Sequence, residues 1–135
     1  MPAYLADTSA WNRSTFVADL WQDLLERGEL FLCIPVRLEL LFSARDRREY
    51  HALADELDGL PVLALDVTSA ALASRTLEML ADRSQHRGPR PIDLLIAAIA
   101  ERHTAVLLHY DRHFDRIAQV TGQATEWLAR RGSLG

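Results

Sequence analysis

The sequence predicts a three-layer α/β/α domain around a central parallel sheet of about five strands, and three observations carry that expectation. Short apolar runs alternate with amphipathic stretches along the whole chain, and strict alternation of strand and helix implies parallel strands joined by right-handed crossovers. The run Leu94-Leu95-Ile96-Ala97-Ala98-Ile99-Ala100 is apolar around an entire helical circumference, as a helix packed inside a domain must be. At 135 residues, with 49% hydrophobic and 25% charged, the chain can bury one core and lacks the length for two. A single domain over 1–135 is expected.

The elements follow in order. Residues 3–6, Ala3-Tyr4-Leu5-Ala6, read as a strand that ends on Asp7. Residues 14–27 read as a helix, with Phe16, Leu20 and Leu24 at helical spacing and Gly28 as its stop. Residues 30–34 form a second strand, and Pro35 sits where a first helical turn tolerates it. Two helical stretches, about 35–44 and 46–58, come next, the second closed by Gly59. Residues 62–65 read as the third strand, and Thr68 as the cap of a helix over 69–85. Gly88-Pro89-Arg90-Pro91 breaks the chain before a helix at 92–103; a strand at 105–109, a helix at about 112–120 and a fifth strand at 124–127 complete the pattern. In such sheets ligands bind beyond the carboxyl ends of the strands, and Asp7 falls there.

Composition removes several functions. No apolar run approaches the roughly 20 residues that span a bilayer, and no basic region followed by a long apolar stretch opens the chain; a cytoplasmic protein with no membrane partner is expected. The lone cysteine, Cys33, lies in an apolar run and reads as a buried, inert thiol. The chain contains 15 arginines and no lysine. It therefore lacks the lysine of a Walker-type phosphate loop and of phosphoryl-aspartate proteins, and it has no glycine-rich dinucleotide fingerprint. The net charge of −4 is not the basic footprint usual for nucleic-acid binding, although bound metal ions can reverse the local sign.

Four carboxylates occupy awkward places. Asp7 ends an apolar strand, and Asp111 repeats that arrangement after 105–109; Asp93 opens the all-apolar helix; Glu39 shares a helical face with Pro35, Val36, Phe42 and Ser43. Each has a local explanation taken alone, since Asp favours turns, caps and first helical turns, and Glu39 can sit at the edge of an amphipathic helix. Together they would fall on one rim of the inferred fold, where like charges repel unless cations are bound. Carboxylate oxygens are the ligands that Mg²⁺ and Mn²⁺ prefer, and a water bound to such an ion can attack a phosphodiester. Setting the four aside leaves 15 acids against 15 arginines, so the rest of the surface is formally neutral.

At these residues the chain resembles PIN-domain ribonucleases of the VapC toxin type. The resemblance runs through LADTSAW, IPVRLELLFSA, RPIDLLIAAIA and LLHYDRHFDRIA, each of modest specificity but jointly strong in order and spacing. It implies a PIN-like three-layer fold and metal-dependent endoribonuclease activity with Mg²⁺ or Mn²⁺. It further implies a role as the toxin of a type II toxin–antitoxin pair, structured RNA, often tRNA, as substrate, a cognate VapB-type antitoxin and a homodimer. The family's acids carry over to Asp7, Glu39, Asp93 and Asp111. Many relatives have a further acid two positions after the fourth, where this chain has His113. Asp115 either compensates or is a helix-surface acid, and Ser9 either supports Asp7 or only caps a helix. Arg90 and Arg112, which flank Asp93 and Asp111 in sequence, are candidates for RNA contact. His109 and His113, four apart, raise a zinc site as a rival. The stretches 14–27 and 35–58 carry more apolar surface than one face needs and offer a groove for an antitoxin helix. A catalytically silent binding module and a DNA nuclease are the alternative functions.

Overall fold

The computed structural model describes residues 2–134. Four strands form one parallel sheet: β1 (Tyr4–Ala6), β2 (Leu30–Phe31), β3 (Val106–His109) and β4 (Thr125–Trp127), in the order β2-β1-β3-β4. Seven α-helices connect them: α1 (Thr8–Trp11), α2 (Ala18–Glu26), α3 (Ile34–Phe42), α4 (Arg47–Leu57), α5 (Val67–Ala81), α6 (Pro91–Arg102) and α7 (His113–Thr121). Side chains alternate across a strand, so β1 and β3 build two cores. Leu5 and Leu107 face one with Val36, Ile96, Ile99 and Phe114. Ala6 and Leu108 face the other with Trp21, Leu24, Leu30 and Leu128. The expected three layers follow, and α6 buries six apolar side chains along its length.

The expected strand at 62–65 is a correction. It contributes one parallel bridge, Leu32 to Val62, held by the Leu32 amide on the Pro61 carbonyl at 2.9 Å and the Leu63 amide on the Leu32 carbonyl at 2.8 Å. Val62 and Leu65 are 62% and 41% exposed, and Pro61 has no amide to donate, so an edge bridge is all this segment forms. The sheet accordingly has four strands rather than five.

The helix expected over 14–27 is also divided. Ser14–Val17 is a 3₁₀ turn, and Val17 leaves helical geometry at φ −130° and ψ 45° before α2 begins. Phe16 is thereby turned outward, and Trp21 and Leu24 are the buried residues of α2. The stop is where the glycine placed it. Gly28 adopts φ +65°, and the Gly28 and Glu29 amides donate to the Leu25 and Leu24 carbonyls, both at 3.1 Å, which closes the helix in a Schellman motif. For α5 the cap is Asp66 rather than Thr68: its carboxylate accepts from the Ser69 amide and hydroxyl, both at 2.8 Å. Asp66 also pairs with Arg102 at 3.2 Å, which ties the start of α5 to the end of α6.

Candidate metal-binding and catalytic site

The strand order sets the location of the site. The chain leaves β1 toward β2 and later comes down β3 on the opposite side of β1, and a crevice opens beyond the carboxyl ends of strands at such a switch point. Asp7 is the first residue past β1, and its amide donates to the Leu108 carbonyl of β3 at 3.0 Å. Its Oδ1 accepts from the Ser9 hydroxyl at 2.7 Å and from the Ala10 amide at 3.1 Å. Asp7 is thus the N-cap of the short helix α1 and lies buried at the carboxyl end of β1. Ser9 Oγ in turn accepts from the Tyr110 amide at 2.9 Å, a cross-link between the chain segments that leave β1 and β3. Asp111, half-buried just past β3, accepts at Oδ1 from the His113 amide at 2.9 Å.

Helices bring the other two acids. Asp93, in the first turn of α6, accepts at Oδ2 from the Arg90 amide at 3.0 Å, the reciprocal half of a helix-start cap. Pro91 opens the helix, a position at which its missing N–H costs nothing. Glu39 projects from α3 and accepts at Oε1 from the Thr8 hydroxyl at 2.6 Å. The Arg90 guanidinium spans the two acids, Nη1 lying 3.1 Å from Glu39 Oε2 and Nη2 3.2 Å from Asp93 Oδ1. Thr8 was not singled out from the sequence. Its signal is position alone, a short polar residue between Asp7 and Ser9.

The electrostatics show what this arrangement costs. Asp7 is 3% exposed and Asp93 2%. Burial pushes the Asp7 carboxyl up from 3.8 to about 6, with Ser9 and the α1 amides pulling it down and the Asp93 charge adding to the rise. Burial also raises Asp93; Arg90 opposes the rise, and Asp111 reinforces it. Asp93 therefore meets like charge on both sides, raising Asp7 and being raised by Asp111. Arg90 bridges Glu39 and Asp93, and Asp7 has no basic partner among the described residues. Hard, oxygen-rich and short of positive charge, this donor set fits Mg²⁺ or Mn²⁺. Among the described residues no three acidic, histidine or cysteine side chains are arranged to share an ion as they stand.

The remaining candidates separate. Asp115 accepts from the Trp127 indole at 3.1 Å; it is engaged with β4 and does not replace the acid missing at His113. His113 contributes its amide to Asp111, while its Nδ1 is buried beside Gly88. His109 is fully buried between Phe114 and Trp127, at ring separations of 5.2 and 4.9 Å. Burial lowers its pKa, and its Nδ1 accepts from the Asp111 amide at 3.2 Å, so the ring orders the Asp111 loop and is not paired with His113 toward zinc. Arg112 is exposed beside Asp111. Cys33 lies fully buried near Asp7 and Glu39, its thiol pushed up to about 12 chiefly by burial, as an inert thiol should be.

The chain resembles known proteins over nearly its whole length. The chain is 43% identical over 136 residues to ribonuclease VapC18 of Mycobacterium tuberculosis, covering 97% of this chain and 98% of the relative. It is likewise 43% identical over 136 residues to ribonuclease VapC2 of the same species, with 95% and 94% covered. Among solved structures, DNA-bound VapBC from Salmonella typhimurium superposes with a TM-score of 0.79 at 19% identity, over 96% of this chain and 100% of that one. VapBC-5 from Mycobacterium tuberculosis gives 0.61 at 25% identity, over 93% and 98%. The family profile described as PIN domain matches residues 4–120, a span that contains all four carboxylates, and the chain belongs to the PIN domain family.

Proposed function

We propose that this protein is a Mg²⁺- or Mn²⁺-dependent endoribonuclease, the toxin of a type II toxin–antitoxin pair, which cleaves structured RNA, with tRNA the expected substrate, by phosphodiester hydrolysis. The observation that carries this reading is the nearness of Asp93 to both Asp7 and Asp111 at the carboxyl ends of β1 and β3, each pair acting as like charges, with Glu39 tied to Asp93 through Arg90. Relatives that cover nearly the whole chain are named ribonucleases, which supports hydrolysis of RNA over DNA.

In this mechanism Asp7, Asp93 and Asp111 would hold the ion, which would supply a water of lowered pKa and stabilise charge on the phosphate oxygens. Ser9 fixes the Asp7 carboxylate through Oδ1, and the N-cap bonds prevent that side chain from rotating away. Glu39, less buried than Asp93 and held at Oε1 by Thr8, completes the cluster and orients the attacking water. Arg112, exposed beside Asp111, meets the RNA backbone. The reading includes a homodimer, a cytoplasmic location and a VapB-type antitoxin as partner; structural neighbours such as that from Salmonella typhimurium are VapBC complexes. No helix among the described residues is long and apolar enough to cross a membrane.

The test is cleavage of total cellular RNA by purified, partner-free protein with Mg²⁺ or Mn²⁺, with EDTA, and with Asp93→Asn. Discrete fragments that require metal and vanish in the variant are expected. Full metal-dependent cleavage by Asp93→Asn would overturn the assignment. His113 in place of a fifth acid, with Asp115 turned to Trp127, favours a second reading, a silent binding module. Folded wild-type protein as inert as the variant with either metal would put that reading ahead.

A further inference from the structure

We propose that Arg90 is an internal counter-cation, which pairs with Glu39 and Asp93 in competition with the divalent ion and must leave them for the ion to enter. The inference rests on the metal-dependent reading above and goes beyond it by assigning a residue that sets how readily the metal binds. Its guanidinium is positioned as a bridge, with one nitrogen 3.1 Å from an acid of α3 and another 3.2 Å from an acid of α6. A planar fork suits that task, whereas a single ammonium would serve one acid at a time.

The arrangement also lets Arg90 leave. Its side chain is 63% exposed, while those of Glu39 and Asp93 are 18% and 3% exposed. The moving part is therefore outside and the fixed parts inside. Its backbone is anchored independently, by its amide on Asp93 Oδ2 at 3.0 Å and by the buried Pro89 before it. Swinging the guanidinium outward breaks two partly exposed ion pairs and disturbs neither the start of α6 nor the core. A purely structural role for Arg90 would make a different demand: the helix start is already capped through its backbone amide, so the side chain would add little that the amide does not supply.

Mn²⁺ affinity, measured by titration calorimetry on the full chain, separates these roles, with wild type compared to Arg90→Ala, Arg90→Lys and Arg112→Ala. Removing the competing cation should tighten Mn²⁺ binding about five- to tenfold in Arg90→Ala, the factor expected of partly exposed ion pairs, with Arg90→Lys between it and wild type. Arg112→Ala removes a nearby charge that makes no ion pair among the described residues, and should change the affinity by less than about twofold. Equal or weaker binding by Arg90→Ala overturns the proposal, since loss of a structural support would loosen the site. Equal tightening by Arg112→Ala also overturns it, because the effect would then be one of general field. Mn²⁺ binding that is the same in all four proteins defeats this inference alone, whereas no Mn²⁺ binding in any of them defeats the metal-dependent reading with it.

Discussion

At the scale of the residue, Asp7 combines two demands that usually separate. It caps α1 through Oδ1, and it carries a charge in a place where burial pushes its carboxyl to about 6. A folded-state value above the unfolded one means that the folded protein binds more protons between about pH 4 and pH 6. The contribution of Asp7 to stability in EDTA should therefore be greatest below the unfolded value and decline as pH rises through about 6, by up to roughly 3 kcal/mol for a shift of two units. Asp93, also raised by burial, adds to the decline. In Asp7→Asn the amide oxygen can still accept from Ser9 and Ala10 while the buried charge is gone. Urea unfolding in EDTA should find that variant more stable than wild type by about 1–2 kcal/mol at pH 7.5 and without that advantage at pH 4; a variant less stable at both pH values would refute the account. The gain would come with loss of cleavage, the usual exchange when a strained site is relieved.

At the scale of the element, what was legible depended on whether local chemistry or tertiary packing decided the outcome. The strand before Asp7, the all-apolar α6 and the stop at Gly28 could be read because their signals are local: an apolar run, a full apolar circumference and a residue tolerant of positive φ. The strand at 62–65 could not. VLAL has strand composition, but Pro61 and the exposure of Val62 and Leu65 limit it to a bridge. Phe16 sits at helical spacing with Leu20 and Leu24, and only the backbone break at Val17 shows that it points outward. Asp7 and Asp111 were legible as strand-end acids and Asp93 as a helix-start acid, whereas Glu39 lies in the second half of α3 rather than near its start; the bridge made by Arg90 and the support from Thr8 were not legible, because each reaches Glu39 from 31 or more positions away in the chain. Gly28 gives the element scale its own test. Nothing lies within 4 Å of where a Cβ would stand, and its φ is +65°, so Gly28→Ala should cost about 1 kcal/mol through backbone strain alone. Thermal unfolding should show that loss with RNA cleavage unchanged; no loss would mean that the α2 stop is held by something other than the glycine.

At the scale of the molecule, the site and the apolar surface are spatially divided. A groove of about 780 Å³ runs between α2 and the α3–α4 pair, lined by Trp11, Trp21, Leu25, Leu40, Leu53 and Leu60, with Glu56 the one formally charged residue on its wall among the described residues. Trp11 and Trp21 meet edge to face at 4.8 Å in its floor, and α2, α3 and the 3₁₀ turn before α2 leave Leu20, Leu38, Phe42 and Phe16 exposed. An apolar surface of this kind is stable in water only at a cost and suits the apolar face of a partner helix, which in the proposed function belongs to the antitoxin. The acids, by contrast, lie just past β1 and β3 and on α3 and α6, and none of them lines the groove. Partner binding and catalysis should therefore be separable by mutation. Leu25 lines the groove, is 36% exposed and touches none of the four carboxylates, so Leu25→Asp should alter folding stability by no more than about 1 kcal/mol. It should leave metal-dependent RNA cleavage at the wild-type rate and weaken association with the cognate antitoxin at least about tenfold, because a charge would have to be buried against an apolar helix. Association measured by calorimetry beside a cleavage assay on the same preparations decides the point: unchanged affinity would remove the groove as the antitoxin site, and lost cleavage would mean that groove and crevice are one coupled unit.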